Sequence, residues 1–551
     1  MFSQNIGAKS WIGLRRARRL ICLCAHGETR IAPSGARFER QLRSVTTDEI
    51  SGIEAAGAKR GWRARLEGAA PARALLVLII AQIVVWTLVP RLFAISLPLD
   101  VVSDGLGWGH EWQWGYFKHP PLPSWMVELF FDALGDTGPF LLSQLAIAAT
   151  YGFVFLLGRE MMSARAALIA TLLVACVYYF SIPTPEFNHN VAQMPVWAWA
   201  SFAYFRAVRT GRLRWWGMLG LAGGAAVLTK YASAVLFLAM LAHLLSTRKT
   251  AHTLATPGPY LTLGVLLAVT SPHLVWLVHN HFSTFGYAEA RAGHGSGLAH
   301  RMVAPFRFLV SQLATLLPCL LVAAAIGLLR PLPLPSPRDE NFRFLLFLGL
   351  GPALITALLS LLSGFGIRDM WGVPMWNLTG LLIVYAMKTR LERVQLVSLY
   401  AWVAALFVIM PLAYVLSTAL VPEWRGKPSR TQWPDRALAE TFSAAWMAQT
   451  HAPLRIVESD GWLGGLIAMR LEPRASIFID GNPRHAPWIT RGRLAREGAL
   501  VVWQTSKTDS PPPALSLPGM RMMGVKTFPW PREPKTKPLR IGWAILPPAR
   551  P

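Results

Sequence analysis

The sequence predicts an α-helical polytopic membrane protein that carries a small C-terminal α/β domain. Three observations lead there. Of 551 residues, 53% are hydrophobic and only 15% charged, and the mean hydropathy is +0.37, values outside the range of ordinary soluble chains. Apolar runs of about 20 residues, the length that crosses a bilayer, recur from residue 71 to about 420. Basic residues gather in alternate links between those runs, as the positive-inside rule requires. The net charge of +25 therefore reads as a topology signal, and nucleic acid is excluded as a partner.

Residues 1–70 are rich in Arg, Gly, Ala and Ser, with Arg15, Arg16, Arg18 and Arg19 crowded together. They lack sustained periodicity, so a disordered basic extension on the cytoplasmic side is expected. The first span begins far from the N-terminus, near Ala72, and no cleavable signal peptide is expected. Eleven spans are expected, near 73–94, 138–157, 163–182, 190–207, 213–229, 231–247, 259–279, 305–329, 342–363, 370–387 and 395–419. With the N-terminus inside, the links holding Arg159, Arg206 to Arg214, Arg248 with Lys249, Arg330 to Arg343, and Lys388 to Arg393 all fall on the cytoplasmic side. An odd number of spans puts 421–551 outside. There LRIVES, ASIFID, ALVVWQ and RIGWAIL read as short strands, and 437–447 as a helix. The stretch TSKTDSPPP at 505–513 reads as a flexible connection. Of four cysteines, Cys22 and Cys24 lie in the extension and Cys176 and Cys319 in apolar runs, so neither a disulfide framework nor a cysteine metal site is implied.

The polar exception is 97–126, LPLDVVSDGLGWGHEWQWGYFKHPPLPSWM, directly after the first span. Asp100, Asp104, His110, Glu111, Lys118 and His119 sit there among four tryptophans and a Pro-Pro step, a composition suited to a site at the water–lipid boundary or to a belt that anchors at the headgroups. The expected topology sends the other unusual polar segments to the same external side: PTPEFNHN at 183–190, the turn at 229–231, 279–300, and GFGIRDMW at 364–371. Ionisable groups at membrane depth are costly and tend to serve a task.

Lys230 ends one apolar run and starts the next, which holds its ammonium where a lipid phosphate would lie. Arg291 and Arg368 are secondary candidates for the same contact. Asp100 or Asp104 could accept a proton from a hydroxyl nucleophile, with Glu186 as a carboxylate from a second loop, or as an acid at a helix start ahead of Asn188 and Asn190. Trp112, Trp114, Tyr116, Lys118, His119, Asn188 and Asn190 are expected to line the substrate site. His110, His119, His189, His279, His281 and His294 invite a zinc reading, yet their spacing matches no compact ligand motif. No cofactor is expected, with a divalent metal as the less favoured alternative.

These residues carry a family resemblance. GYFKHPPLPSW at 115–125, EFNHN at 186–190, LTKY at 228–231 and RDMWGVPMWN at 368–377 resemble segments of the membrane-embedded GT-C glycosyltransferases. The likeness is greatest to the bacterial family-39-like group that includes the lipid A aminoarabinose transferase and, more distantly, the protein O-mannosyltransferases. It covers roughly 72–420. The resemblance implies transfer of a sugar from a polyprenyl-phosphate donor, with inversion, to an acceptor such as lipid A, another glycan or a protein, on the periplasmic face of a bacterial inner membrane. It implies an acidic catalytic residue in the first external loop, which spacing to the GYF segment matches to Asp100, with Asp104 in reserve. The family's Asp-Glu pair is absent, since Val101 follows Asp100. Lys230 matches the lysine that meets the carrier phosphate. The alternative from another class is a transporter or lipid flippase, which should show internal repeats and polar groups at helix midpoints; the sequence has no clear repeat.

Overall fold

A computed structural model describes residues 47–292, 298–329, 334–387, 396–505, 509–532 and 536–549. The arginine cluster at 15–19, His294 and the basic link at 388–393 lie outside the described residues. The chain falls into two units, Met1–Ala69 and Ala70–Pro551. Of the first, the described part is the start of helix α1 (Thr47–Phe93), which begins inside the stretch expected to lack regular structure. Everything that follows concerns the second unit.

Each apolar run forms helix, because a backbone in lipid must satisfy its own hydrogen bonds. After α1, α2 (Leu122–Leu134) begins in the polar stretch and runs beyond it, and α3 (Thr137–Met161) and α4 (Ala164–Ala175) follow. Then come α5 (His189–Thr210), α6 (Leu213–Thr229), α7 (Ala234–Leu245) and α8 (Pro257–His279). The membrane part continues through α9 (Ser283–Ala292), α10 (Leu298–Ala325), α11 (Glu340–Gly349), α12 (Gly351–Ser363), α13 (Thr379–Ala386) and α14 (Leu396–Val415). Five helices among the described residues are long and apolar enough to cross a membrane, or up to seven if each bent pair is one span. The count of eleven expected from apolar runs is therefore not reproduced as eleven long helices. The run 163–182 ends as a helix at Ala175, and 370–387 opens as a 3-10 segment (Asp369–Trp376) before α13. Apolar runs are not all straight spans where the backbone lines a polar site. Leu76, Val77, Ile80, Leu88 and Leu92 on α1 are exposed, as an apolar face turned toward lipid requires.

The C-terminal domain packs α15 (Asp435–Thr450), α16 (Gly461–Ala468) and α17 (Arg491–Glu497) with a five-stranded sheet. Its strands are β1 (Ile456–Ser459), β2 (Ser476–Ile479), β3 (Ala499–Gln504), β4 (Arg521–Phe528) and β5 (Leu539–Leu546), in the order β2-β1-β3-β5-β4. β1 pairs in parallel with β2 and β3, whereas β5 is antiparallel to β3 and β4. The four apolar runs became four strands. β4 escaped the sequence reading because it is a largely exposed edge strand whose register shifts at Gly524, so it lacks clean alternation.

This domain is clamped by ion pairs to α2 and the turn that follows it, and by ring stacking to the first polar loop. Arg474 forks onto the carboxylate of Glu128 on α2, with Nη1 2.7 Å from Oε1 and Nη2 2.9 Å from Oε2, and both side chains are largely buried. Arg470 bridges Asp136 and Asp435 at 2.7 and 2.6 Å. Phe117 of the loop stacks on His485 with centroids 4.0 Å apart. Removing one member of such a pair strands the other charge in a dry contact. Glu128→Ala should destabilise the protein by about 3–5 kcal/mol, measured as a lower thermal midpoint of the full chain in detergent. Glu128→Ala with Arg474→Met should recover part of the loss; equal midpoints for the wild type and Glu128→Ala would show that the clamp contributes nothing.

Candidate active site

The site is built on the N-terminus of α5. Asn188 precedes the helix in an extended conformation, and its Oδ1 accepts the main-chain N–H groups of Asn190 and Val191 at 2.9 and 3.2 Å. That is the work of an N-cap, for which Asn is among the preferred residues. The amide of the same side chain donates to Asp100 Oδ2 at 3.1 Å. Glu186 is no part of the helix end: its Oε1 accepts the main-chain N–H of Asp100 at 2.9 Å. Two loops far apart in sequence are thereby fixed on each other, and Asp100 is held by both backbone and side chain.

Asn190, one turn position further on, accepts the ammonium of Lys230 at 2.6 Å. Lys230 follows α6 in an extended conformation, and its Nζ lies 5.8 Å from the centre of the Trp371 ring. A relay fixes the adjacent turn. The carbonyl of Trp114 can only accept, so His273 donates to it through Nδ1 at 2.6 Å and receives the Tyr231 hydroxyl on Nε2 at 2.7 Å. The GYF segment needs its glycine, because a Cβ on Gly115 would stand 2.4 Å from the Trp276 ring.

The expected carboxylates and the lysine therefore converge. Asp104 accepts Lys118 at 3.1 Å and Ser103 at 3.3 Å, both on Oδ1, and its main-chain carbonyl accepts Ser124 at 2.6 Å. Lys118 lies 5.5 Å from the Trp108 ring centre. Burial first, then the charges of Glu186 and Asp104, push the Asp100 carboxyl up to about 7, against the Asn188 hydrogen bond and Lys118. Burial, followed by His189, Lys230 and Lys118, holds His119 well below the usual imidazole range. Beside both asparagines opens a cavity of about 320 Å³, lined also by Tyr178, Tyr179, Val191 and Met370. Its far wall is pinned by Tyr179 and Gln312, which donate to the Asp369 carbonyl at 2.8 and 3.1 Å.

Other expected site residues lie elsewhere. Arg291 and Arg368 are exposed, and neither is hydrogen bonded to the cluster among the described residues. Trp112 and Trp114 are 48% and 45% exposed and gather around Trp125, at 6.2 and 4.9 Å between centroids. Tyr116 is buried, stacked on Trp108 at 5.1 Å with Trp488 of the C-terminal domain across its edge. Trp108, Trp371 and His189 belong to the cluster without having been selected as its members. For Trp371 and His189 the signal was their place inside RDMWGVPMWN and EFNHN; for Trp108 nothing short of tertiary contact separates it from neighbouring rings.

Three comparisons bear on this arrangement. Residues 118–276 match the model of a family described as dolichyl-phosphate-mannose-protein mannosyltransferase. The crystal structure of ArnT from Cupriavidus metallidurans bound to undecaprenyl phosphate superposes with a TM-score of 0.61 at 15% identity, over 86% of this chain and 98% of that one. The archaeal oligosaccharyltransferase AglB from Archaeoglobus fulgidus, in complex with an inhibitory peptide and a dolichol-phosphate, gives a TM-score of 0.37 at 13% identity, over 76% and 65%. No protein of curated function matches the chain by sequence.

The cap at Asn188 makes a stability prediction. Asn188→Ala should cost about 1 kcal/mol, while Asn188→Ser, which can cap the helix but cannot reach Asp100, should lie close to the wild type. Chemical denaturation of the three proteins decides it, and equal loss in both variants would mean that the Asp100 contact, rather than the cap, carries the stability.

Proposed function

We propose that this chain, a member of the GT-C glycosyltransferase superfamily by its fold and its matched segment, moves one sugar from a polyprenyl-phosphate donor to an extracytoplasmic acceptor, with inversion. The observation that carries the reading is the pairing on one helix N-terminus: Asp100 on Asn188 and Lys230 on Asn190, beside a cavity lined by the same two asparagines. A carboxylate and an ammonium placed on either side of one helix start can act on opposite ends of a breaking glycosidic bond. That a protein of the same fold was crystallised with undecaprenyl phosphate supports the donor class.

In this mechanism Asp100 takes the proton of an acceptor hydroxyl. The acceptor oxygen attacks the anomeric carbon from the face opposite the lipid phosphate, the bond from that carbon to the phosphate oxygen breaks, and the configuration inverts. Lys230 meets the charge left on the phosphate, a preorganised cation in a site with little water. Glu186 holds the Asp100 backbone and acts as a positioning residue. Asp104, neutralised in part by Lys118, is the reserve base. Arg291 and Arg368 are assigned to the lipid phosphate as it approaches, and Trp112 and Trp114 to the membrane edge of the donor. We place the site on the periplasmic face of a bacterial inner membrane, with lipid A, another glycan or a protein as acceptor.

Lys230→Ala and Asp100→Asn, made at wild-type levels, should each lower transfer by more than about 100-fold. Full transfer in both variants would sink the assignment. Because Asp100 acts only when deprotonated and lies among Glu186, Asp104, Lys118 and Lys230, transfer by the wild type should fall as pH drops through about 7, read as the acid limb of a pH–rate profile. Comparing lipid and lipopolysaccharide masses of a deletion strain with its parent identifies the sugar and acceptor together; an unchanged lipid and glycan profile would turn the search to protein acceptors.

A further inference from the structure

We propose that Asp104, His119 and His189 form a binding site for one divalent transition-metal ion of the zinc class. One ligand atom from each residue lies within 4.8 Å of the other two. A tetrahedral zinc ion draws nitrogen and oxygen donors to about 3.4 Å from one another, so adjustments of about an ångström in the side chains complete the set.

Two independent features point to a ligand. His189 is buried, and among the described residues its Nε2 has no hydrogen-bond partner. A neutral imidazole protonated on Nδ1 would present the lone pair of Nε2 to an ion at this point. The second feature is the division of labour on Asp104. Lys118 and Ser103 both bond to Oδ1, which leaves Oδ2 for an ion. Two imidazole nitrogens and one carboxylate oxygen suit zinc and its neighbours better than magnesium or calcium, which favour all-oxygen shells. Three protein donors leave a fourth position for water or an anionic oxygen. The rings of His119 and His189 stand 4.1 Å apart at a tilt of 36°, which keeps their nitrogens near each other without the rings stacking flat.

The ligands come from two loops, 97–126 and 183–190, and the pattern H-x-E or H-x-x-x-H occurs in neither. Linear spacing therefore could not reveal the set. Lys118, paired with Asp104 at 3.1 Å, competes with an ion for that carboxylate.

Metal content and affinity of the full chain in detergent test the proposal without any assay of transfer. Protein stripped with chelator and titrated with Co(II) should develop the visible absorption of a tetrahedral site at one ion per chain, and Zn(II) should abolish it. His119→Ala and His189→Ala should each weaken binding by about 100-fold or more, and Lys118→Met should bind at least as tightly as the wild type. If His189→Ala does not fold, as judged by gel filtration of the metal-free protein, the less buried His119 carries the test alone. Identical Co(II) titrations for the wild type and His119→Ala, or a wild type that takes up no ion, would overturn the assignment.

Discussion

A charge can be kept at the edge of a bilayer only if something pays its desolvation, and here the helix start at Asn188 does so for two charges of opposite sign. Asn188 satisfies orphan N–H groups of α5 while its amide donates to Asp100. Asn190 offers its oxygen to Lys230. The side chains themselves carry no charge, so each can serve a charged neighbour without adding a repulsion. An aspartate in place of Asn188 would cap equally well but would change the electrostatics that the site rests on.

Around this helix end the fold supplies rigidity from three directions. Glu186 anchors the Asp100 backbone, the Trp114–His273–Tyr231 relay fixes the turn next to Lys230, and Tyr179 with Gln312 fixes the segment that brings Trp371 near the ammonium. None of the three groups needs to touch a substrate. Their common effect is that side chains from four separate parts of the chain meet with little freedom left to lose, which is what an electrostatically preorganised site requires.

The C-terminal domain completes the enclosure. It closes over the first polar loop through the Arg474–Glu128 fork, the Arg470 bridge and the stacking of His485 on Phe117. Tyr116 lies buried between Trp108 and Trp488 as a result. The aromatic residues of the loop thus divide into two groups, one packed beneath the domain and one, with Trp112 and Trp114, left at the surface. That division explains why a tryptophan-rich composition alone could suggest both a sugar platform and a membrane belt.

The sequence by itself pointed to the helical membrane class, to many of the helices and to four of the five described strands, because hydropathy, charge alternation and period-two patterning are local properties. It also singled out Asp100, Glu186, Asn188, Asn190 and Lys230 as polar groups out of place among apolar neighbours. What it left open was which of them touch. Whether Glu186 started a helix or held a loop, and how many apolar runs become long helices, were decided by the tertiary structure. Those outcomes depend on contacts between residues from 14 positions apart, as for Lys118 and Asp104, to more than 300, as for Glu128 and Arg474. Linear spacing holds no information about such distances, since chain closure brings together whatever packing and charge neutralisation favour.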